Sequence, residues 1–105
     1  MEIISTRAFL RSISRLLVTA DELQALEAEI VANPQAGDVI KGLKGIRKIR
    51  FSYGGKGKRG GGRCIYLVLT VADQIYLLLA YGKSQQTDLS AKQRKDLLAF
   101  IEDLQ

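Results

Sequence analysis

Apolar positions recur first at helical and then at strand spacing along the chain. Glu2-Ile-Ile-Ser5 predicts a short first strand. From Thr6, the apolar residues Phe9, Ile13, Leu16 and Leu17 fall at helical intervals, with Arg7, Arg11 and Arg15 on the opposite side. Thr19-Ala-Asp-Glu22 has the hydroxyl-x-x-acid pattern of a capping box and opens a second helix, whose buried stripe is Leu23, Leu26 and Ile30. Asn33-Pro34 ends it, because the residue before proline disfavours helical backbone. The first third is therefore expected to be a pair of helices joined by a tight turn.

The texture then changes. Gly37, Gly42 and Gly45 punctuate a turn-rich passage, and Ile46-Arg-Lys-Ile-Arg-Phe51 follows as a strand with Ile49 and Phe51 on one face and Lys48 and Arg50 on the other. A glycine-rich loop comes next, Gly54-Gly-Lys-Gly-Lys-Arg-Gly-Gly-Gly62. Residues 63–70 and 74–81 are apolar on both faces and read as central strands joined into a hairpin near Ala72-Asp73. Ser90-Ala-Lys-Gln93 is a second capping box, opening a closing helix with Leu97, Leu98, Ile101 and Leu104 as its stripe. The expected fold class is α+β: a small, mainly antiparallel sheet packed with an N-terminal helical hairpin and a C-terminal helix, in one domain spanning 1–105.

Composition narrows the chemistry. The chain has no histidine, which removes a histidine general base, a histidine metal site and Ser-His-Asp or Cys-His arrangements. A single cysteine, Cys64, supplies neither an intramolecular disulfide nor a cysteine-cluster metal site, so no metal and no cofactor is expected. That cysteine usage suits a reducing cytosol, and the expected localisation is cytoplasmic. No apolar run approaches the roughly 18 residues of a membrane span, so no membrane partner is expected.

Charge is distributed unevenly. The net charge of +5 conceals a segment between Asp38 and Asp73 with nine basic residues and no acid, a local charge of +9; the remainder has seven basic and eleven acidic residues, or −4. Concentrated like charge repels itself, and a polyanion relieves it; nucleic acid is the default candidate. The bland alternative is a solvated basic face.

Within that segment the glycine-rich loop fails the phosphate-loop pattern. Gly57-Lys58 has Ser52 where the first glycine belongs, and Arg59 follows the lysine in place of a hydroxyl residue. Its expected use is to grip a ribose-phosphate chain: glycines permit close backbone approach, Lys56, Lys58 and Arg59 supply mobile charge, and Arg63 begins a rigid strand. The bland reading of Arg63 is a structural ion pair. Lys48 and Arg50 extend the basic face, Tyr53 is a candidate for stacking on bases, and Tyr81 and Lys83 flank the end of the last strand. Cys64 is expected to be a buried strand residue without chemistry.

Taken in order, Asn33-Pro-Gln-Ala-Gly-Asp-Val-Ile-Lys-Gly42, Gly45-Ile-Arg-Lys-Ile-Arg50, Gly55-Lys-Gly-Lys-Arg-Gly-Gly-Gly-Arg63, Ile65-Tyr66, Tyr81-Gly-Lys83 and Asp88-Leu89-Ser90 resemble a RelE/HigB-type toxin of a bacterial toxin–antitoxin pair. The resemblance covers nearly the whole chain. It implies a microbial-ribonuclease-like fold and a ribosome-dependent mRNA endonuclease that cuts the codon in the ribosomal A site, against 16S ribosomal RNA. The message's own 2′-hydroxyl attacks the adjacent phosphate, leaving a 2′,3′-cyclic phosphate and a 5′-hydroxyl. It also implies a cognate antitoxin of the helix-turn-helix, HigA-like kind. The family's active-site basic residues fall on Lys56, Lys58 and Arg63. Arg63 would hold the phosphate, Lys83 or Tyr81 would assist the leaving group, and repulsion among cations would help Lys56 or Lys58 act as base. The sequence departs from the family where Ser84, not a second arginine, follows Lys83, and where no aromatic residue stands between Tyr81 and Phe100.

Two rival readings stand beside this one. A ParE-like member of the same superfamily inhibits DNA gyrase and cuts no RNA, and a non-catalytic RNA-binding module holds its ligand by charge alone.

Overall fold

The fold is described from a computed structural model, which describes residues 1–104. In chain order the elements are β1 (Glu2–Ser5), α1 (Arg7–Arg15), α2 (Ala20–Ala32), β2 (Asp38–Val39), β3 (Arg47–Phe51), β4 (Gly62–Leu69), β5 (Gln74–Gly82) and α3 (Ala91–Asp103). The five strands form one sheet in the order β1-β5-β4-β3-β2. Only the β1–β5 pair is parallel; the other three are antiparallel. The α+β class and the helical hairpin stand as the sequence predicts. β2 is an addition: two residues carry no periodicity, and only its pairing with Lys48 and Arg47 makes it a strand.

Local chemistry sets the helix boundaries. Thr19 and Glu22 form a reciprocal capping box at the start of α2, as do Ser90 and Gln93 at the start of α3. The Thr6 hydroxyl accepts from Phe9 N to begin α1 and donates to Leu77 O, which ties the helix start to β5. The end of α1 is less ordinary. Val18 N donates to Ile13 O and Leu17 N to Ser14 O, the bond pair of a Schellman stop. Leu17 occupies its left-handed position at φ 59°, where glycine is the relaxed choice, and its side chain is 81% exposed. The expectation that Leu17 joins the buried stripe of α1 is therefore corrected: the chain turns one residue before it.

The sheet has a core on each face. Against the hairpin lie Ile49, Phe51, Cys64, Tyr66, Ile75, Leu77 and Ala80, packed with Phe9, Ile13, Leu26 and Ile30. Against α3 lie Ile65, Leu67, Leu78 and Tyr81, packed with Leu43, Ile46, Leu89, Leu97 and Ile101. A bulge between Ile65 and Tyr66 shifts the β4–β5 register so that Leu79 faces Ile65 but Leu77 faces Tyr66. Ser12 clamps α1 beside the bulge: its hydroxyl donates to Phe9 O and accepts from Ala80 N at 2.9 Å. Tyr66 is fully buried, with its hydroxyl accepting from Gly37 N at 2.9 Å and donating to Pro34 O at 2.8 Å, so it pins the 33–37 turn to the sheet.

Candidate nucleic-acid interface

Strand register assembles the central feature. Arg50 on β3 pairs with Arg63 on β4, and Arg63 pairs with Tyr81 on β5. Residues directly opposite one another share a face, so the three make a row across the sheet. It lies on the α3 face, because β4 alternates and Ile65, two residues from Arg63, packs in the α3 core. Lys48 lies one step along the same face, opposite Ile65.

Arg63 is only 8% exposed. Its guanidinium donates to Gly62 O at 3.0 Å, Lys58 O at 3.3 Å and Arg59 O at 3.4 Å. The ion pairs among the described residues are Met1–Asp73, Lys48–Asp88, Lys58–Glu29 and Lys92–Asp96, so Arg63 has no carboxylate partner. The structural ion pair is thereby replaced by loop carbonyls, which orient the fork without neutralising it. Opposed like charges at Arg50 and Arg63 are destabilising.

Tyr81 completes the row. It is 3% exposed, and its hydroxyl is the one buried side-chain polar atom without a hydrogen-bond partner among the described residues. Burial raises its pKa above the ordinary phenol value and the charge of Asp88 adds to the rise, while Arg63 opposes it. Asp88 sits 3.9 Å from the Lys48 amine and accepts from Leu89 N at 2.8 Å. Asp38, Lys41, Gly42, Lys48, Asp88 and Arg94 line an adjoining groove of about 590 Å³, where Arg94 donates to Lys41 O at 2.8 Å. Sequence reasoning missed Asp88, Lys41 and Arg94 as members of this surface, since only tertiary packing brings them beside β3.

The loop lysines take other directions. The Lys58 amine donates to both Glu29 oxygens, at 2.8 and 3.1 Å, and so leans toward α2. The Lys56 amine lies 5.0 Å above the Tyr53 ring, on the hairpin side. In this arrangement the two amines engage Glu29 and the Tyr53 ring. Arg59 is exposed and contributes its carbonyl to Arg63. Lys83 is exposed at the end of β5, where its backbone N donates to Gly61 O at 3.0 Å, beside the loop.

Tyr53 is also corrected as a stacking residue. It is 5% exposed, its ring packs 5.6 Å from Phe51 in the hairpin-side core, and a Cβ on Gly82 would lie 2.5 Å from its hydroxyl. The loop glycines divide as well. A Cβ on Gly61 would overlap the Phe51 carbonyl, and one on Gly62 would meet the Phe51 ring at 2.5 Å, so close packing demands both glycines. Gly57 and Gly60 face open space and remain free for a ligand's approach. Cys64 is fully buried, and burial pushes its thiol far above the usual range, so it stays protonated and inert.

The arrangement is chemically a buried, fixed cation with a buried phenol beside it and a carboxylate at its rim. Among the described residues no group of three His, Cys, Asp or Glu side chains is placed to hold a metal. Among the described residues no helix is long and apolar enough to cross a membrane. No protein-family model matches the chain.

Proposed function

We propose that this chain is the toxin of a toxin–antitoxin pair and cuts mRNA in the ribosomal A site, in the manner of the RelE/HigB-type proteins it resembles. The observation that carries the proposal is Arg63, a buried guanidinium with no counter-ion among the described residues, at the centre of a segment without acids. A phosphodiester suits this position: the planar fork matches two phosphate oxygens, and Arg50 across the strand adds a second charge.

The proposed reaction needs no cofactor. The 2′-oxygen attacks phosphorus and the bond to the 5′-oxygen breaks. The Asp88 carboxylate takes the 2′-hydroxyl proton, and the Tyr81 hydroxyl gives a proton to the departing 5′-oxygen. Arg63 and Arg50 stabilise the charge that develops on the phosphorane, where preorganised donors contribute most. The Tyr81 hydroxyl carries its proton at neutral pH, as a donor must, although its raised pKa makes it a weaker acid than an exposed phenol. Lys83 and Arg59, exposed beside the loop, track the backbone next to the scissile phosphate. Catalysis in the cytoplasm, with a helix-turn-helix antitoxin as partner, belongs to the same proposal.

The test is primer extension on a message bound to purified ribosomes. Wild-type protein should give codon-phased cuts ending in cyclic phosphate, and Arg63→Ala should abolish them while ribosome binding persists. Unchanged cleavage by Arg63→Ala would overturn the assignment. Inhibition of gyrase supercoiling with no RNA cleavage would favour the ParE-like reading.

A further inference from the structure

We infer that Glu29 is an internal stand-in for a phosphate. It holds the Lys58 amine and straps the glycine-rich loop to α2 until a polynucleotide phosphate takes its place in the cleft beside Arg50. The inference rests on the reading of Arg50 and Arg63 as a phosphate site and adds a step that ligand binding must include.

Two carboxylates of α2 hold the loop. The Lys58 amine donates to both Glu29 oxygens, at 2.8 and 3.1 Å, a two-oxygen grip of the kind a phosphate also offers. Glu22, about two helical turns earlier on the same side of α2, accepts from Gly54 N at 2.7 Å. The backbone between these ties and β4 meets few obstacles. Gly54 and Gly55 sit at φ 61° and 76°, and a Cβ at Gly55, Gly57 or Gly60 would meet nothing within 4 Å. The bonds from Arg63 to Lys58 O and Arg59 O, at 3.3 and 3.4 Å, are long and yield easily. At Gly61 and Gly62 the freedom ends, because both pack on Phe51.

Lys58 and the phosphate site share a cleft. Glu29, Lys48, Arg50 and Lys58 line about 390 Å³ of space along the edge of β3, beyond the two-residue β2. Asp38, the other acid of the cleft, stands opposite Lys48 in the strand register. Among the described residues Glu29 pairs with Lys58 alone, whereas a phosphate in the cleft meets Lys58 and Arg50 together. Exchange therefore favours the polyanion. The pair it replaces is weak, since the Lys58 and Glu29 side chains are 59% and 35% exposed and salt screens them. A simple staple on the loop would explain the Glu29 bond but not its place among the cations of the cleft.

The probe is a fluorescent oligodeoxynucleotide, which lacks the 2′-hydroxyl and binds without being cut. Anisotropy at low salt compares wild type with Glu29→Gln and Glu27→Gln. Glu27 lies on the same helix and pairs with no cation among the described residues, so its replacement makes the same charge change without touching the strap. Glu29→Gln should bind about three- to fivefold more tightly, the release of one exposed ion pair, and Glu27→Gln less than about twofold. In a Lys58→Gln background the gain from Glu29→Gln should disappear. Carboxyl-detected NMR gives a second readout: saturating oligonucleotide should move the Glu29 resonance of wild type to its position in Lys58→Gln. Equal gains from the two glutamine variants, a loss of affinity in Glu29→Gln, or a Glu29 resonance unmoved by the ligand would overturn the inference and leave the phosphate site standing. Failure of every form to bind would remove the phosphate site itself, and the inference with it.

Discussion

Replacing Arg63 by methionine separates two roles that a buried arginine can have. Methionine keeps the aliphatic length and removes the charge. Burying an unpaired charge costs several kcal/mol. Hydrogen bonds from a charged donor return about 1.5–3 kcal/mol each when well formed. Only the 3.0 Å bond to Gly62 O is in the preferred range; those of 3.3 and 3.4 Å to Lys58 O and Arg59 O are long. The favourable and unfavourable terms therefore nearly cancel, and Arg63→Met should fold within about 1 kcal/mol of wild type. Its ligand response should differ sharply. Inorganic phosphate at ten times its dissociation constant stabilises a one-site binder by RT ln 11, about 1.4 kcal/mol. Urea titrations with phosphate or chloride at equal ionic strength measure both quantities. Wild type should gain stability in phosphate and Arg63→Met should not. A loss above about 2 kcal/mol without phosphate would make Arg63 a structural clamp on the loop. An undiminished phosphate gain in the variant would place the anion elsewhere.

Other perturbations probe the surrounding structure. Tyr66→Phe leaves Gly37 N and Pro34 O without their partner and should cost about 1–3 kcal/mol in chemical denaturation. Gly61→Ala drives a methyl into the Phe51 carbonyl and should cost a similar amount, with loss of hydrogen-exchange protection at Lys83 N, which donates to Gly61 O. Burial holds the protons of Cys64, Tyr66 and Tyr81 to higher pH in the folded chain than in the unfolded one. The unfolded state therefore loses protons first, and stability falls as pH rises above the ordinary thiol value of about 8.5. The thiol alone predicts a loss of about 2 kcal/mol between pH 8.5 and 10, which Cys64→Ala should flatten whatever its constant cost. Asp88→Asn should reduce cleavage about 10²–10⁴-fold with RNA affinity preserved; undiminished cleavage would take Asp88 out of the reaction.

Which features were legible from sequence follows from the range of the forces that set them. Capping boxes at Thr19 and Ser90 act over three residues, and both formed as read. The alternation that put Ile49 and Phe51 opposite Lys48 and Arg50 acts over two, and it also formed. The same parity applied to Tyr53 places it with Phe51 in the core, in spite of the cations on either side of it in the chain. The Lys56 and Lys58 directions were not legible, because a glycine-rich loop has no period to orient a side chain. Their amines go where the hairpin offers an aromatic face and a carboxylate. Leu17 was unreadable for another reason: its helix stops by the Schellman pattern without the glycine that usually announces it. Asp88 meets Lys48 across about forty residues of chain, a distance at which no pattern operates.

The manner in which Arg63 is held bears on why the middle of the chain tolerates so much charge. A carboxylate partner would fix the guanidinium as well as carbonyls do. An incoming phosphate would then have to break an ion pair and leave a carboxylate stranded beside itself. Carbonyl dipoles supply partial negative charge, hold the fork in one plane, and surrender nothing when an anion arrives. The cost is that the free protein keeps Arg50 opposite Arg63 with no anion between them. The two large apolar cores on either face of the sheet offset that cost, and the repulsion is confined to the end of the sheet where β3 and β5 finish and β4 begins. On the proposed reading, repulsion stored there is released when a polyanion binds, so affinity for it would rise at the expense of stability in its absence.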